Sequence, residues 1–233
     1  MADGAVPLLA ELVRTGQWRE RVSARARRVS LRVDVAEGAI VLVRPVRVSE
    51  AVVRAFVIKQ RRWIERHLAT LMPPMALADG ATLPVLGRDH TICAMPTAKR
   101  GVWTEADVLF VSGATEHLPR RVKDWIKAEA KRTFAAWAHE FARRIDRRVT
   151  RVAVRDTASR WGSCSRDGRL SLSWRLFLAP ESVARYVVAH EVAHLRHMNH
   201  SAAFWRTVRE LTAEAEPARQ WLRRHGASLH RYT

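Results

Sequence analysis

The chain is poor in cysteine, in acidic side chains and in long apolar runs. Its two cysteines, Cys93 and Cys164, are far apart among 233 residues, so no disulfide framework is available. Free thiols point to a reducing compartment. No stretch of about 18 apolar residues occurs, which argues against a membrane span. The first residues, Met1 to Pro7, carry Asp3 and no basic leader, so no secretory signal is expected and the cytoplasm is the expected location. Acidic residues number 23 against 41 Lys and Arg, giving a net charge of +18. Only five of those cations are lysines. A surface this basic attracts nucleic acid and other polyanions without specificity. The plainer alternative is a solvated basic face with no dedicated partner, and the run Arg25, Arg27, Arg28 reads that way. Hydrophobic residues at 48% and charged residues at 27% are ordinary for a globular chain. A chain of this length forms one large domain or two small ones and buries roughly 70% of its unfolded surface.

Periodicity divides the chain. Residues 1–20 read as a short amphipathic segment with a loop. Val29, Leu31, Val33 and Val35 alternate with polar residues at strand spacing, and Glu37-Gly38 turns the chain into a second strand at Ile40 to Val43. Ser49 caps a helix that carries Val52, Val53, Phe56, Trp63 and Ile64 and stops at Met72-Pro73-Pro74. Short strands follow at Leu83 to Leu86, Thr91 to Ala94, Gly101 to Trp103 and Val108 to Val111. After Pro119 the pattern becomes helical: Val122, Ile126, Ala130, Phe134, Phe141 and Ile145 form one stripe. Trp125 and Trp137 share that spacing and read as core. Val152 and Val154 mark a strand. A hairpin then joins Ser163 to Ser165 with Leu170 to Trp174 through Arg166-Asp167-Gly168-Arg169. Pro180 opens a helix that is apolar on nearly every face and therefore buried. Two more helices run from Ser201 to about Ala215 and from Pro217 to about His225. The class is α+β. The divisions are an N-terminal extension at 1–21, a β-rich region at 22–117 and a helical half at 118–233.

The buried helix carries the chemistry. Its sequence His190-Glu191-Val192-Ala193-His194 is H-E-x-x-H, expected by chance roughly 0.03 times in such a chain. The two histidines lie one turn apart and face one way, so both can bind one metal ion. Glu191 sits about 100° around the helix and can reach a water on that ion, which suits a general base. Imidazoles buried without partners are costly, and a metal satisfies them. Three residues or pairs compete for a third ligand. His200 qualifies if the helix ends and the chain turns back near Asn199, which tolerates the left-handed conformation. Glu210 or Glu214 would come from the next helix. His197 shares the helical face, but two turns separate it from His190, roughly 10 Å along the axis.

Arg160-Trp161-Gly162-Ser163-Cys164, Gly168, Leu170 to Leu176, Tyr186 to Leu195, Asn199-His200-Ser201 and Phe204-Trp205 together closely resemble the YgjP-like metallopeptidase family, small zincins related to the SprT-like and WLM groups. The resemblance covers about residues 22–225. It implies a zincin-like catalytic half, with the active-site helix packed on a small sheet, after a β-rich N-terminal half. It implies one Zn²⁺ per chain held by His190, His194 and His200, with Glu191 as catalytic acid and base. It places Trp161, Gly162, Ser163 and Cys164 beside the cleft, where an extended protein or peptide substrate pairs with the strand. The histidine spacing equals that of metzincins, but the glycine of their turn is His197 here. Tyr186 and Arg160 are candidates for a second oxyanion donor, Tyr186 more simply as core. Cys164 reads as a small buried residue. Two alternatives remain: an SprT-like protease of nucleic-acid-bound proteins, motivated by the charge, and a non-catalytic zinc module, which leaves Glu191 without a purpose.

Overall fold

The computed structural model describes residues 12–14, 16–34, 37–68, 75–157 and 160–232. Internal contacts gather them into two units. One holds the described residues up to Met75 together with His230 to Tyr232. The other runs from Ala76 to Leu229.

The first unit is built on three strands: β1 (Trp18–Val22), β2 (Ser30–Asp34) and β3 (Ala39–Arg44). Their order is β1-β3-β2, with β2 antiparallel and β1 parallel to β3. The hairpin expected around Gly38 is present. β1 is not foreshadowed by alternation, because four of its five residues are exposed and only Trp18 turns inward. Ala39, Ile40, Val41 and Leu42 are all buried, as befits a central strand. Ile40 and Leu42 pack with Val53, Val57 and Ile64 into one core. Those partners lie on two helices, α1 (Glu50–Lys59) and α2 (Arg61–Leu68), where sequence predicts one. Ser49 Oγ accepts the Val52 N–H and caps α1. The break falls at Gln60, whose N–H bonds back to Phe56 and Val57. The stop signal at Met72-Pro73-Pro74 and most of the 1–20 segment lie outside the described residues. Met75 forms a parallel bridge with Tyr232.

The second unit begins with β4 (Thr82–Val85), β5 (Arg88–Met95), β6 (Val102–Glu105) and β7 (Val108–Ser112), in the order β4-β5-β7-β6. These are the four short strands read from sequence. Leu86 and Gly87 have φ of 49° and 86°, the pair of positive values a tight primed hairpin turn requires. The change of composition near Pro119 lies within this unit, between β7 and α3 (Leu118–Arg144). Pro119 sits in the first turn of α3, where its missing N–H costs nothing. Val122, Ile126, Ala130, Phe134, Ala138 and Phe141 bury one stripe of the helix. Trp125 and Trp137 are half-buried at its margins, not central core: Trp125 meets Phe177 edge-on, and Arg185 lies over Trp137.

A second sheet follows: β8 (Arg151–Arg155), β9 (Gly162–Cys164) and β10 (Arg169–Ser173), in the order β8-β10-β9. β10 runs parallel to β8 and forms the expected hairpin with β9. Gly168 makes that turn with φ of 79°, and a side chain there would press on the Arg148 carbonyl at 3.0 Å. Three helices complete the unit: α4 (Glu181–Ala193), α5 (Ala202–Leu211) and α6 (Ala215–His225). Ser201 Oγ accepts the Phe204 N–H and starts α5. α3 packs against α4, β8 and the buried 3₁₀ turn Trp174–Leu178. Among the described residues no helix is long and apolar enough to cross a membrane.

Phe134 sits at the centre of this packing, fully buried and edge-on to Phe177. Phe134→Ala should therefore cost about 3–5 kcal/mol, measured as a lowered urea midpoint for the second unit.

Candidate active site

α4 is buried because Val183, Ala184, Val187, Val188 and Val192 occupy nearly its whole circumference. His190 and Glu191 sit in its last turn, and His194 is its C-cap residue with φ −63° and ψ −18°. The chain leaves the helix by a tight turn. The N–H groups of Leu195, Arg196 and His197 bond back to Val192 and Ala193. Asn199 does not adopt the left-handed conformation expected of it; the only non-glycine residues with positive φ among those described are Leu86, Ala106 and Asp146. The reversal instead uses these backbone bonds and the bend at Met198-Asn199.

This turn returns His200 to the helix. His200 Nε2 stands 3.1 Å from His190 Nε2. One ring nitrogen from each of His190, His194 and His200 lies within 4.8 Å of the others. The His194 Nδ1–H donates to the His197 carbonyl at 2.9 Å. A carbonyl only accepts, so that bond fixes the proton on Nδ1 and leaves Nε2 its lone pair. Burial, with the neighbouring imidazoles and Arg219 adding to it, pushes His190 down to about 4. Burial also lowers His194, opposed by the bond to His197. His190 Nδ1 is buried without a hydrogen-bond partner. Four-coordinate zinc, with bonds of about 2.0–2.1 Å, holds its ligand nitrogens roughly 3.3 Å apart. The His190–His200 separation is close to that value, so the residues present fit a metal ion. Among the described residues no other such group of three forms. His197 supplies only its carbonyl. Glu210 lies 3.8 Å from Arg196, and both Glu210 and Glu214 are exposed outside the cluster.

Phe204, which the sequence offers only within the Phe204-Trp205 motif and without a role of its own, is the buttress of the site. Its fully buried ring lies 4.9 Å from His190, 4.6 Å from His194 and 4.8 Å from His200. Its place three residues after a capping serine was the available signal. Trp205 packs on the other side, stacked on His200 at 5.9 Å, with the Arg219 guanidinium over its outer face. Tyr186, one turn before His190, is buried edge-on to that ring, and burial holds its hydroxyl protonated up to about 12.

Glu191 is 6% exposed and makes no hydrogen bond or short ion pair with a described residue. Burial raises its carboxyl to about 7, against the pull of Arg160. The carboxyl lies against β9. A methyl group at Gly162 would stand 2.6 Å from Glu191 Oε1 and 2.7 Å from Cγ, so a glycine is required there. Trp161 packs at Gly226, and its carbonyl accepts from the Ser173 N–H. Ser163 and Cys164 lie along the half-buried strand. Burial lifts the Cys164 thiol to about 12, which keeps it protonated, and it lies outside the three-histidine group. Arg160 is exposed.

The model of the YgjP-like family, described as a metallopeptidase domain, matches residues 27–225. The chain belongs to this family. As a YgjP-like metallopeptidase it is a peptidase: it works with a metal ion and acts on protein or peptide substrates. Comparison with curated proteins gives no match. Among solved structures, the crystal structure of the metallopeptidase zymogen of Pyrococcus abyssi abylysin is similar, with 19% identity and a TM-score of 0.36. The similarity covers 39% of this chain and 93% of that one.

Gly162→Ala should displace the Glu191 carboxyl by about 1 Å and lower kcat of peptide hydrolysis about 100-fold, with a much smaller change in KM. Steady-state kinetics on a denatured-protein or quenched-peptide substrate would show this.

Proposed function

We propose that the chain is a zinc peptidase: His190, His194 and His200 hold a single Zn²⁺, and Glu191 is the general base. The observation that supports this most is the convergence of three imidazole nitrogens within 4.8 Å. The donor set is all nitrogen and, with three protein ligands, leaves a fourth position open, the pattern of catalytic zinc. When bound, zinc supplies a Lewis acid that acidifies water and polarises the scissile carbonyl.

The remaining work belongs to the chain. The His197 carbonyl holds the His194 ring in one tautomer and orientation, as an outer partner of a ligating histidine does. Phe204 packs against all three rings and holds them in position. The Glu191 carboxylate takes one proton from the attacking water and hands it to the leaving amine nitrogen, ending unchanged. Among the described strands β9 bonds to β10 alone, and an extended substrate would pair with its other edge, beside Trp161, Gly162, Ser163 and Cys164. A purely structural zinc site carries four protein ligands and needs no buried carboxyl beside it. Glu191 supplies such a carboxyl, which favours catalysis over a structural role.

Glu191→Gln keeps the shape of the side chain and removes the base. It should lower kcat about 10³-fold while zinc content, read by mass spectrometry, stays near that of the unaltered protein. Full activity in this variant would remove Glu191 from the mechanism.

A further inference from the structure

At the opposite edge of the β8-β10-β9 sheet, the fold leaves a cationic groove that peptide hydrolysis does not use. The chain has only five lysines, and three of them, Lys123, Lys127 and Lys131, stand four residues apart on α3. Such spacing puts them on one stripe of the helix, about 6 Å apart. The three acids of α3 are engaged elsewhere: Asp124 with Arg120, Glu129 with Arg132, Glu140 with Arg185. Lys127 and Lys131, with Ala128, form one wall of a groove of about 360 Å³. The other wall is β8, all of it, from Arg151 to Arg155. Five consecutive strand residues lining one groove expose an edge and not a face. β8 is the edge strand, hydrogen-bonded to β10 alone among the described strands. Arg151 and Arg155 are exposed at its two ends. The nearby acid, Asp156, is bonded to Arg175 and also feels Lys127.

We propose that this groove binds an extended polypeptide segment with acidic side chains at alternate positions, added as a further strand to β8. The two walls call for two properties in one ligand. The open edge offers main-chain N–H and C=O groups, which an incoming strand satisfies. The lysine stripe offers positive charge about every 6 Å, and same-side residues of a strand repeat at about 6.6–6.8 Å. Nucleic acid meets the charge but not the edge: phosphates only accept hydrogen bonds, and no aromatic side chain lines the groove for bases to stack on. Glu191 lies at β9, the far edge of the same three-stranded sheet, two strand spacings or about 10 Å away. A protein held at β8 is therefore tethered close to the peptidase centre, whichever metal occupies it.

The test uses the full chain and a labelled peptide of about ten residues alternating Glu with Thr, followed by fluorescence anisotropy. Two further peptides carry N-methyl groups on one or the other alternating set of amides. The parent peptide should bind, and one of the methylated peptides should lose binding, because only one set faces β8. Amide exchange at Val152 to Val154 should slow on binding. Lys127→Gln combined with Lys131→Gln should weaken binding about tenfold. Equal binding of all three peptides, or no binding of the parent, overturns the proposal. So does single-stranded DNA of equal charge that binds more tightly and loses the same affinity in the double variant. The methylated peptides need no altered protein, so the test stands even if the double variant fails to fold.

Discussion

Two imidazole nitrogens 3.1 Å apart, beside a third ring, are a demanding arrangement to bury. Protonated rings at that distance would repel, and neutral ones hold it only as a single N–H···N bond in which one ring donates and the other accepts. The rest of the second unit serves to keep this arrangement in place. α4 is apolar around its circumference so that it can be buried, and burial keeps His190 neutral. The turn after Ala193 is tied by backbone bonds, so His200 returns to the helix without a glycine. Phe204 touches all three rings from a helix whose start is fixed by Ser201. A cation among the rings would take a lone pair from each of the three nitrogens as a ligand, and this connects the packing to peptidase chemistry.

The same economy governs Glu191. Glu191 is almost fully buried and its carboxyl makes no hydrogen bond to a described residue, an arrangement that is costly for a charged group. β9 gives way to it at Gly162, the one residue type that leaves room. β9 is in turn held by the hairpin to β10, and β10 by its parallel pairing with β8 under α3. The position of one carboxyl thus depends on a chain of contacts running back to the Phe134 stripe. The far edge of the sheet belongs to that framework too, so a partner bound there would rest on the same strands as the Glu191 carboxyl.

Much of this was legible in the sequence, for identifiable reasons. A 3.6-residue period sustained over 27 residues declares α3, and H-E-x-x-H within an apolar helix declares His190, Glu191 and His194 as a group. The Asp-Gly turn declares the β9–β10 hairpin. β1 was not legible, because an exposed strand held by pairing with β3 carries no alternation. Nor was the break at Gln60, where no proline or glycine marks the end of α1. The choice among His200, His197, Glu210 and Glu214 depended on how the chain leaves a helix, which backbone hydrogen bonds decide and side-chain pattern does not. The chain does bend at Asn199, but without the left-handed conformation that residue suggested. Phe204 stood in the sequence only as part of a family motif, and its contact with three separate imidazoles exists only in three dimensions.

The account stands on one zinc ion shared by His190, His194 and His200. The most direct measurement is the metal content of the purified chain by mass spectrometry, with His200→Ala prepared in parallel. The account predicts about one zinc per unaltered chain and a large loss in the variant, since a two-histidine site binds zinc weakly. A chain that carries no zinc after expression in zinc-replete medium would contradict it. Full zinc in His200→Ala would place the third ligand elsewhere.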